Sequence, residues 1–408
     1  MTYPTIRPSL TLDFKKSKQL DPRVTFSRSS TATYVEAGVV KTAPSNVARF
    51  EKKGLLLEES RTNILTQSVT MTDWTATAQL SLNQAVAPDS TNTATKLYQT
   101  NAVDGDQFQQ VSGRFGTNYA DQVFSIFVKA AENNYFFVRN HQGNDWAILD
   151  LTDGTVTGSR QVYLDAAISV QPFGNGWDRI KQETGSSGIH IFQTWGISPS
   201  KSVSAAADLE FTGDGTSGVY VWGAQIEDQT RIMTSYIPTA GSTVTRSADV
   251  SQITVNSFSP WYNQNEGTIT YEYCAIGDSQ FLSPASIRAS NSQDAPSWGF
   301  WLYASGRPIA GKRNGGDEQL RLANGNPSTT IPLNTTYTVA VAHDNNTLSA
   351  IHQGWELQSR NITPVPTMTE LGIGYITRNW NNYFTGHICR LSYYSDRLTD
   401  AQLQEITK

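Results

Sequence analysis

The residues that could do chemistry in this chain are few, and their spacings argue against catalysis. A glycosidase needs two carboxylates facing across a cleft. The nearest pairings here are Asp208 with Glu210 and Glu227 with Asp228. The first pair has the alternate spacing of one strand face, lacks a further acidic partner, and reads as a solvated strand. No clustered acidic strand of the E-x-D-x-x-E kind is present. The stretch GDGTSG (213–218) has the spacing G-x-G-x-x-G, but the residues after it, VYVWGAQIE, read as a strand. A dinucleotide site needs a helix there, so that the pyrophosphate meets the helix N-terminus, and a turn is expected instead. P-loop, nucleophile-elbow and H-E-x-x-H patterns are missing. The five histidines, His141, His190, His343, His352 and His387, suggest no zinc centre. No enzyme and no cofactor are expected. Calcium stays open, because DGD (104–106), DLTDG (150–154) and GDG (213–215) offer oxygen ligands. Each of the three also fits an ordinary Asx turn.

Aromatic side chains are the better lead. A sugar presents a flat C–H face that packs on a Trp or Tyr ring, and hydroxyls that pair with Asn, Asp, Gln and Arg. Two stretches have that mixture in expected loops or strand edges. RNHQGNDW (139–146) supplies Arg139, Asn140, Asn144, Asp145 and Trp146. TRNWNNYF (377–384) supplies Arg378, Trp380, Asn381, Asn382 and Tyr383. The competing reading for Trp146 and Trp380 is packing or subunit contact. Trp177 and Trp222 sit in strand-like runs and are expected in the core. In WGFW (298–301) the two tryptophans point to opposite strand faces, so at least one is core.

Composition sets the frame for these candidates. Of 408 residues, 38% are hydrophobic and only 16% charged, and the balance is filled by polar uncharged residues and 30 glycines. That mixture, with many aromatic and β-branched residues, suits strands and turns better than helices. The net charge of −5 provides no basic field for a nucleic acid. Without a run of about 18 apolar residues, no membrane insertion is expected. The opening MTYPTIRPSLTLDFKK lacks the apolar stretch of a signal peptide, so synthesis in a cytoplasm is expected. Two cysteines, Cys274 and Cys389, read as buried free thiols.

The elements that must carry the candidates follow from periodicity. DQVFSIFVKAA (121–131) alternates with apolar residues on both faces, the pattern of an inner strand. NYFFVRN, DWAILDL, GWDRIKQE, GIHIFQTW and SGVYVWGAQIE follow, separated by GND, TDG, FGNG, GSSG and TGDGTSG. Short strands between such turns indicate a sandwich or barrel. The expected organisation is all-β, with two β-sandwich, jelly-roll or lectin-like domains in series. Residues 1–64 read as an extended N-terminal arm, 65–233 as the first sandwich, 234–252 as a linker and 253–408 as the second sandwich. HDNN (343–346) signals a hairpin, and LTDAQLQEITK (398–408) a short C-terminal helix capped by Thr399.

Several stretches together resemble a known group. DFKKSKQLDPRVTFSRSSTATYV and GLLLEESRTNIL are similar to the N-terminal segment of bacteriophage and prophage tail-associated proteins. KLYQ, FSIFVKA, GNGWDRI, VWGAQIE and TSYIPTAGSTVTRSAD resemble the carbohydrate-binding-module-like sandwich of that group. EGTITYEY through FTGHICRLSYYSDRLTDAQLQEIT resembles a concanavalin-A-like, laminin-G-like lectin domain. The resemblance implies a virion component, such as a tail fibre or receptor-binding protein. It would be a homotrimer among other tail proteins, facing a bacterial surface glycan through the lectin-like domain. It transfers no ligand residues. A purely structural virion protein is a second reading, and a glycan-degrading tail enzyme a third.

Overall fold

The structure is a computed structural model. It describes residues 6–72, 74–101, 107–108, 110–114, 122–140, 146–158, 168–184, 192–228, 230, 232–276, 283–290, 295–303, 307–313, 317–322, 331–376 and 382–408. It is an all-β protein of antiparallel sheets, divided into two units. Unit 1 comprises residues 1–34, 43–60 and 247–408, and unit 2 comprises 35–42 and 61–246.

In unit 2 the Gln122–Ala130 strand lies between Trp177–Thr184 and Gly218–Asp228, antiparallel to both. Its period-two alternation feeds two cores. Phe124, Ile126 and Val128 meet Phe136, Val138, Leu149 and Trp195 of a second sheet, which makes the unit a sandwich. Phe127, on the opposite face, packs with Trp177, Trp222 and Tyr236. The GDGTSG stretch is a turn, as expected. Asp214 Oδ1 accepts from the backbone N–H groups of Thr216 and Ser217, and the chain then enters the Gly218–Asp228 strand.

In unit 1 the Gly267–Ala275 strand lies between Thr336–His343 and Gly386–Tyr394. Ile269, Tyr271 and Tyr273 face Ile253, Ile287, Trp298, Phe300 and Leu371 of a seven-stranded sheet across one core. Trp298 is the core member of WGFW. The turn after His343 is held by Asp344 Oδ1, which accepts from the N–H groups of Asn346 and Thr347. The Asp400–Ile406 helix has the expected cap, in which Thr399 and Gln402 bond reciprocally. Both cysteines are buried and free.

The N-terminal segment departs from the expected extended arm. Leu10–Asp13 pairs with the Gly386–Tyr394 strand in the register Leu10↔Tyr393, and Gly54–Leu57 pairs with the same strand further along, Gly386↔Leu57. Thr25–Ser27 extends the second sheet at Val250–Thr254. Leu10, Leu12, Phe14, Val24, Leu55 and Leu57 belong to the unit 1 core. The segment has too few apolar residues for a core of its own, and it completes one by pairing with a strand more than three hundred positions away. The expected linker 234–252 contains the boundary at 246/247 but is not a loose tether. Tyr236, Ile237 and Thr239 are buried in unit 2, and Asp249 is buried in unit 1.

Candidate functional site

Both aromatic stretches fold as hairpins. In unit 2, Tyr135–Asn140 pairs with Trp146–Asp150, with Arg139 directly opposite Trp146. Asn144 and Asp145 fall in the connection and lie outside the described residues. Arg139 is half-buried, and burial pulls its guanidinium below the ordinary value against the nearby Glu210 carboxylate. Trp146 is not available to a ligand. It is 4% exposed and packs with Phe137, Ile148 and Leu209. The polar residues around it in sequence suggested a loop, but the cover comes from Leu209, remote in the chain. Trp146→Ala should therefore destabilise unit 2 by about 3–5 kcal/mol, the usual cost of emptying a buried aromatic site. Thermal denaturation followed by near-ultraviolet circular dichroism will measure it.

In unit 1, Tyr375–Ile376 pairs with Asn382–Tyr383, so TRNWNNYF forms a hairpin following the Glu370–Ile373 strand. Arg378, Trp380 and Asn381 are in the connection, outside the described residues; of Asn382 the backbone pairing to Ile376 is described. At the base of the hairpin is a structured polar and aromatic cluster. The Tyr375 and Tyr383 rings stack with centroids 6.1 Å apart at 25°. The Arg288 guanidinium carbon lies 4.3 Å from the Tyr375 ring centroid. Arg288 Nε donates to Glu370 Oε2 at 3.1 Å, and Nη2 donates to Gln252 Oε1 at 3.0 Å and to the Tyr375 hydroxyl oxygen. That hydroxyl donates in turn to Gln252 Oε1 at 2.6 Å. Burial raises the Tyr375 phenol above its ordinary value against the pull of Arg288, and burial raises Tyr383 as well, so both stay neutral donors at pH 7. Tyr383 is only half-buried, whereas Tyr375 and Arg288 are buried.

The cluster brings together one predicted residue, Tyr383, and four that sequence reading missed: Tyr375, Arg288, Gln252 and Glu370. These come from four separate strands, and no local pattern connects them. Its chemical capacity is to hold one aromatic ring rigidly beneath another that is partly open to solvent. A fixed ring loses little conformational entropy on binding, which favours a flat apolar ligand face.

The acidic candidates serve the fold. Asp208 accepts from the backbone N–H groups of Ser204 and Ala205. Glu227 is fully buried and accepts from the Thr234 hydroxyl, the Thr234 N–H and Gln225 Nε2; burial raises its carboxyl against these bonds. Asp150 and Asp153 accept from Thr152 and Thr155 and share Lys201, as Asx turns do. The DGD stretch (104–106) lies outside the described residues. Among the described residues, no group of three or more His, Cys, Asp or Glu side chains is placed to hold a metal ion.

No protein-family model matches the sequence, and no curated protein sequence matches it either. Solved structures are similar over part of the chain. The CBM40 module of Ruminococcus gnavus IT-sialidase, solved with alpha2,3 sialyllactose, is similar at 19% identity and a TM-score of 0.30. The match covers 36% of this chain and 83% of that one. Domain 4 of AbnA, a GH43 extracellular arabinanase from Geobacillus stearothermophilus solved with arabinotriose, is similar at 12% identity and a TM-score of 0.30, over 43% of this chain and 82% of that one. The leech intramolecular trans-sialidase is similar at 21% identity and a TM-score of 0.31, over 36% of this chain and 23% of that one. A likeness of this depth assigns no ligand to the chain.

Proposed function

We propose that this chain is a non-catalytic adhesin of a bacteriophage tail, which holds a bacterial surface glycan at the Tyr375–Tyr383 hairpin of unit 1. The observation that carries the binding half is the half-exposed Tyr383 ring stacked on a Tyr375 fixed by Arg288 and Gln252. A pyranose face packs on such a ring, and the adjoining connection contains Arg378, Trp380 and Asn381, side chains suited to sugar hydroxyls. The non-catalytic half is supported by the acidic candidates, whose carboxylates are occupied by backbone and hydroxyl donors of the fold. The tail assignment rests on the resemblance of the N-terminal and TSYIPT stretches to tail-associated proteins. A virion location, trimeric assembly and contacts with other tail proteins go with it.

The full chain should bind susceptible cells, or a defined surface polysaccharide, saturably. Tyr383→Ala should weaken that binding by roughly five- to tenfold, about 1 kcal/mol or more, while leaving the melting temperature of unit 1 unchanged. If the intact chain binds no susceptible host or glycan, and particles lacking it adsorb normally, the adhesin reading fails and the purely structural virion role replaces it. If Tyr383→Ala unfolds unit 1, the ring is a packing element and the site lies elsewhere.

A further inference from the structure

On the face of the Gly267–Ala275 strand opposite the unit 1 core, four side chains of complementary chemistry converge. Cys274 pairs in register with His387 of the neighbouring strand. Lys53 Nζ donates to Cys274 Sγ at 3.2 Å and to the Asn334 carbonyl at 3.0 Å. His387 Nε2 is 2.9 Å from Glu51 Oε2. The remaining ring nitrogen, His387 Nδ1, is buried and has no hydrogen-bond partner, and the side chain is only 7% exposed. The site described above uses none of these groups.

From this geometry we infer that Lys53, His387 and Glu51 make Cys274 the reactive thiol of the chain, a site for covalent modification by small soft electrophiles such as hydroperoxides. The carboxylate of Glu51 favours the imidazolium form of His387, and imidazolium and ammonium groups together favour a thiolate between them. Burial opposes both charges. His387 and Lys53 nonetheless take the Cys274 thiol below its ordinary value, and Cys274 and Glu51 take His387 above its own. The second cysteine behaves oppositely. Burial, with Glu272 and Cys274 nearby, pushes the Cys389 thiol up to about 12. Further charged groups on this face are Glu272 and Lys15, themselves paired at 3.6 Å, with Arg390 in register beside Glu272 and Asp13 beside Arg390.

In reaction with a hydroperoxide, the Cys274 thiolate sulfur attacks the distal oxygen. An S–O bond forms as the O–O bond breaks, and the leaving oxygen takes the proton of the His387 imidazolium. The sulfur is oxidised by two electrons to the sulfenic acid and the peroxide is reduced to water or an alcohol. Cys274 is fully buried, and the partly exposed Lys53 has its ammonium against the sulfur, so displacement of that side chain is the step that admits a reagent.

The test is alkylation of the folded full chain by iodoacetamide between pH 5 and 9, quantified for each cysteine by peptide mass spectrometry. Cys274 should react at least about tenfold faster than Cys389 at pH 7, because each unit of thiol pKa is a factor of ten in thiolate. His387→Gln should slow Cys274 at pH 6.5 by about tenfold and move the midpoint of its pH profile upward; Lys53→Met should move it the same way. Hydrogen peroxide followed by dimedone should label Cys274. Equal reactivity of the two cysteines, labelling only after denaturation, or an unchanged pH profile in a folded Lys53→Met protein would each overturn the inference. The comparison of the two cysteines in the unmodified chain needs no variant, so a misfolded His387→Gln protein leaves the test intact.

Discussion

A fragment of residues 253–408, the part that the sequence marks out as a second sandwich, should fail to fold. It lacks Leu10, Leu12, Phe14, Val24, Leu55 and Leu57, six members of the unit 1 core. Burying each such side chain is worth roughly 1.5–3 kcal/mol, so their loss is comparable with the whole stability of a domain, about 5–15 kcal/mol. The Gly386–Tyr394 strand would also lose both partners on one side, Leu10–Asp13 and Gly54–Leu57, and expose an apolar edge prone to aggregation. The second sheet would lose most of Val250–Thr254, the strand that pairs with Glu370–Ile373. A different cut should succeed. Arg61 pairs in register with Arg246 inside unit 2, so the long 61–246 segment of that unit begins and ends on adjacent strands. A chain in which residues 1–60 run through a short Gly-Ser linker into 247–408, with 35–42, which belong to unit 2, replaced by a short Gly-Ser turn, should therefore fold, with a single cooperative transition. Circular dichroism and amide exchange on the two proteins will distinguish them. A folded 253–408 fragment would show that the N-terminal strands are dispensable. The consequence is practical, since the proposed glycan binding is to be assayed on a chain that keeps its N-terminus.

The same elements explain what could be read from the sequence. Gln122–Ala130 was legible because period-two alternation is local, and the turn before Gly218–Asp228 was legible because Asp214 carries its chemistry. The helix cap was legible because Thr399 and Gln402 lie three residues apart. Leu10–Asp13 also alternates, buried then exposed, but its partner begins at Tyr393, and no local signal points there. Gly54–Leu57 is buried throughout, so it has no polar face to betray a strand. In the candidate site the aromatic and Asn-rich run marked a loop or strand edge, and the pairing of Tyr375–Ile376 with Asn382–Tyr383 makes it a hairpin. The support beneath it was not legible, since Arg288, Gln252 and Glu370 acquire meaning only once three strands are side by side. Trp146 erred in the other direction. The residues before it in sequence, Asn144 and Asp145, are polar, and besides Ile148 of its own strand its cover comes from other segments, Phe137 across the hairpin and Leu209.

Asp249→Ala should cost unit 1 about 3–5 kcal/mol, the usual penalty for removing one member of a buried ion pair. Four charges form this network. Arg28 Nη1 donates to Asp249 Oδ1 at 3.0 Å, Arg49 Nη2 to Asp249 Oδ2 at 2.5 Å, and Arg49 Nη1 to Glu58 Oε2 at 2.7 Å. The Glu58 N–H also donates to Asp249 Oδ2. The Arg28, Arg49 and Asp249 side chains are fully buried, with Glu58 almost so, and the charges balance two against two. Removing Asp249 leaves a net positive charge out of contact with water, and strands a backbone donor as well. The effect should be far larger than for an exposed pair such as Lys15 with Glu272, where about 0–1 kcal/mol is usual. The residues that bond Asp249 are 191 to 221 positions from it, so the loss should appear as earlier unfolding of unit 1 as a whole. Urea titration of the full chain should show a lower midpoint for that transition, with the unit 2 transition in place. A double variant, Arg28→Met with Asp249→Leu, is the sharper measurement. It restores charge balance by leaving Arg49 with Glu58, so it should be less destabilised than the sum of its single changes by about 1 kcal/mol or more. Strict additivity would mean that Arg28 and Asp249 do not act as a pair, and that the cost of Asp249→Ala comes from its bonds to Arg49 and the Glu58 N–H and from packing.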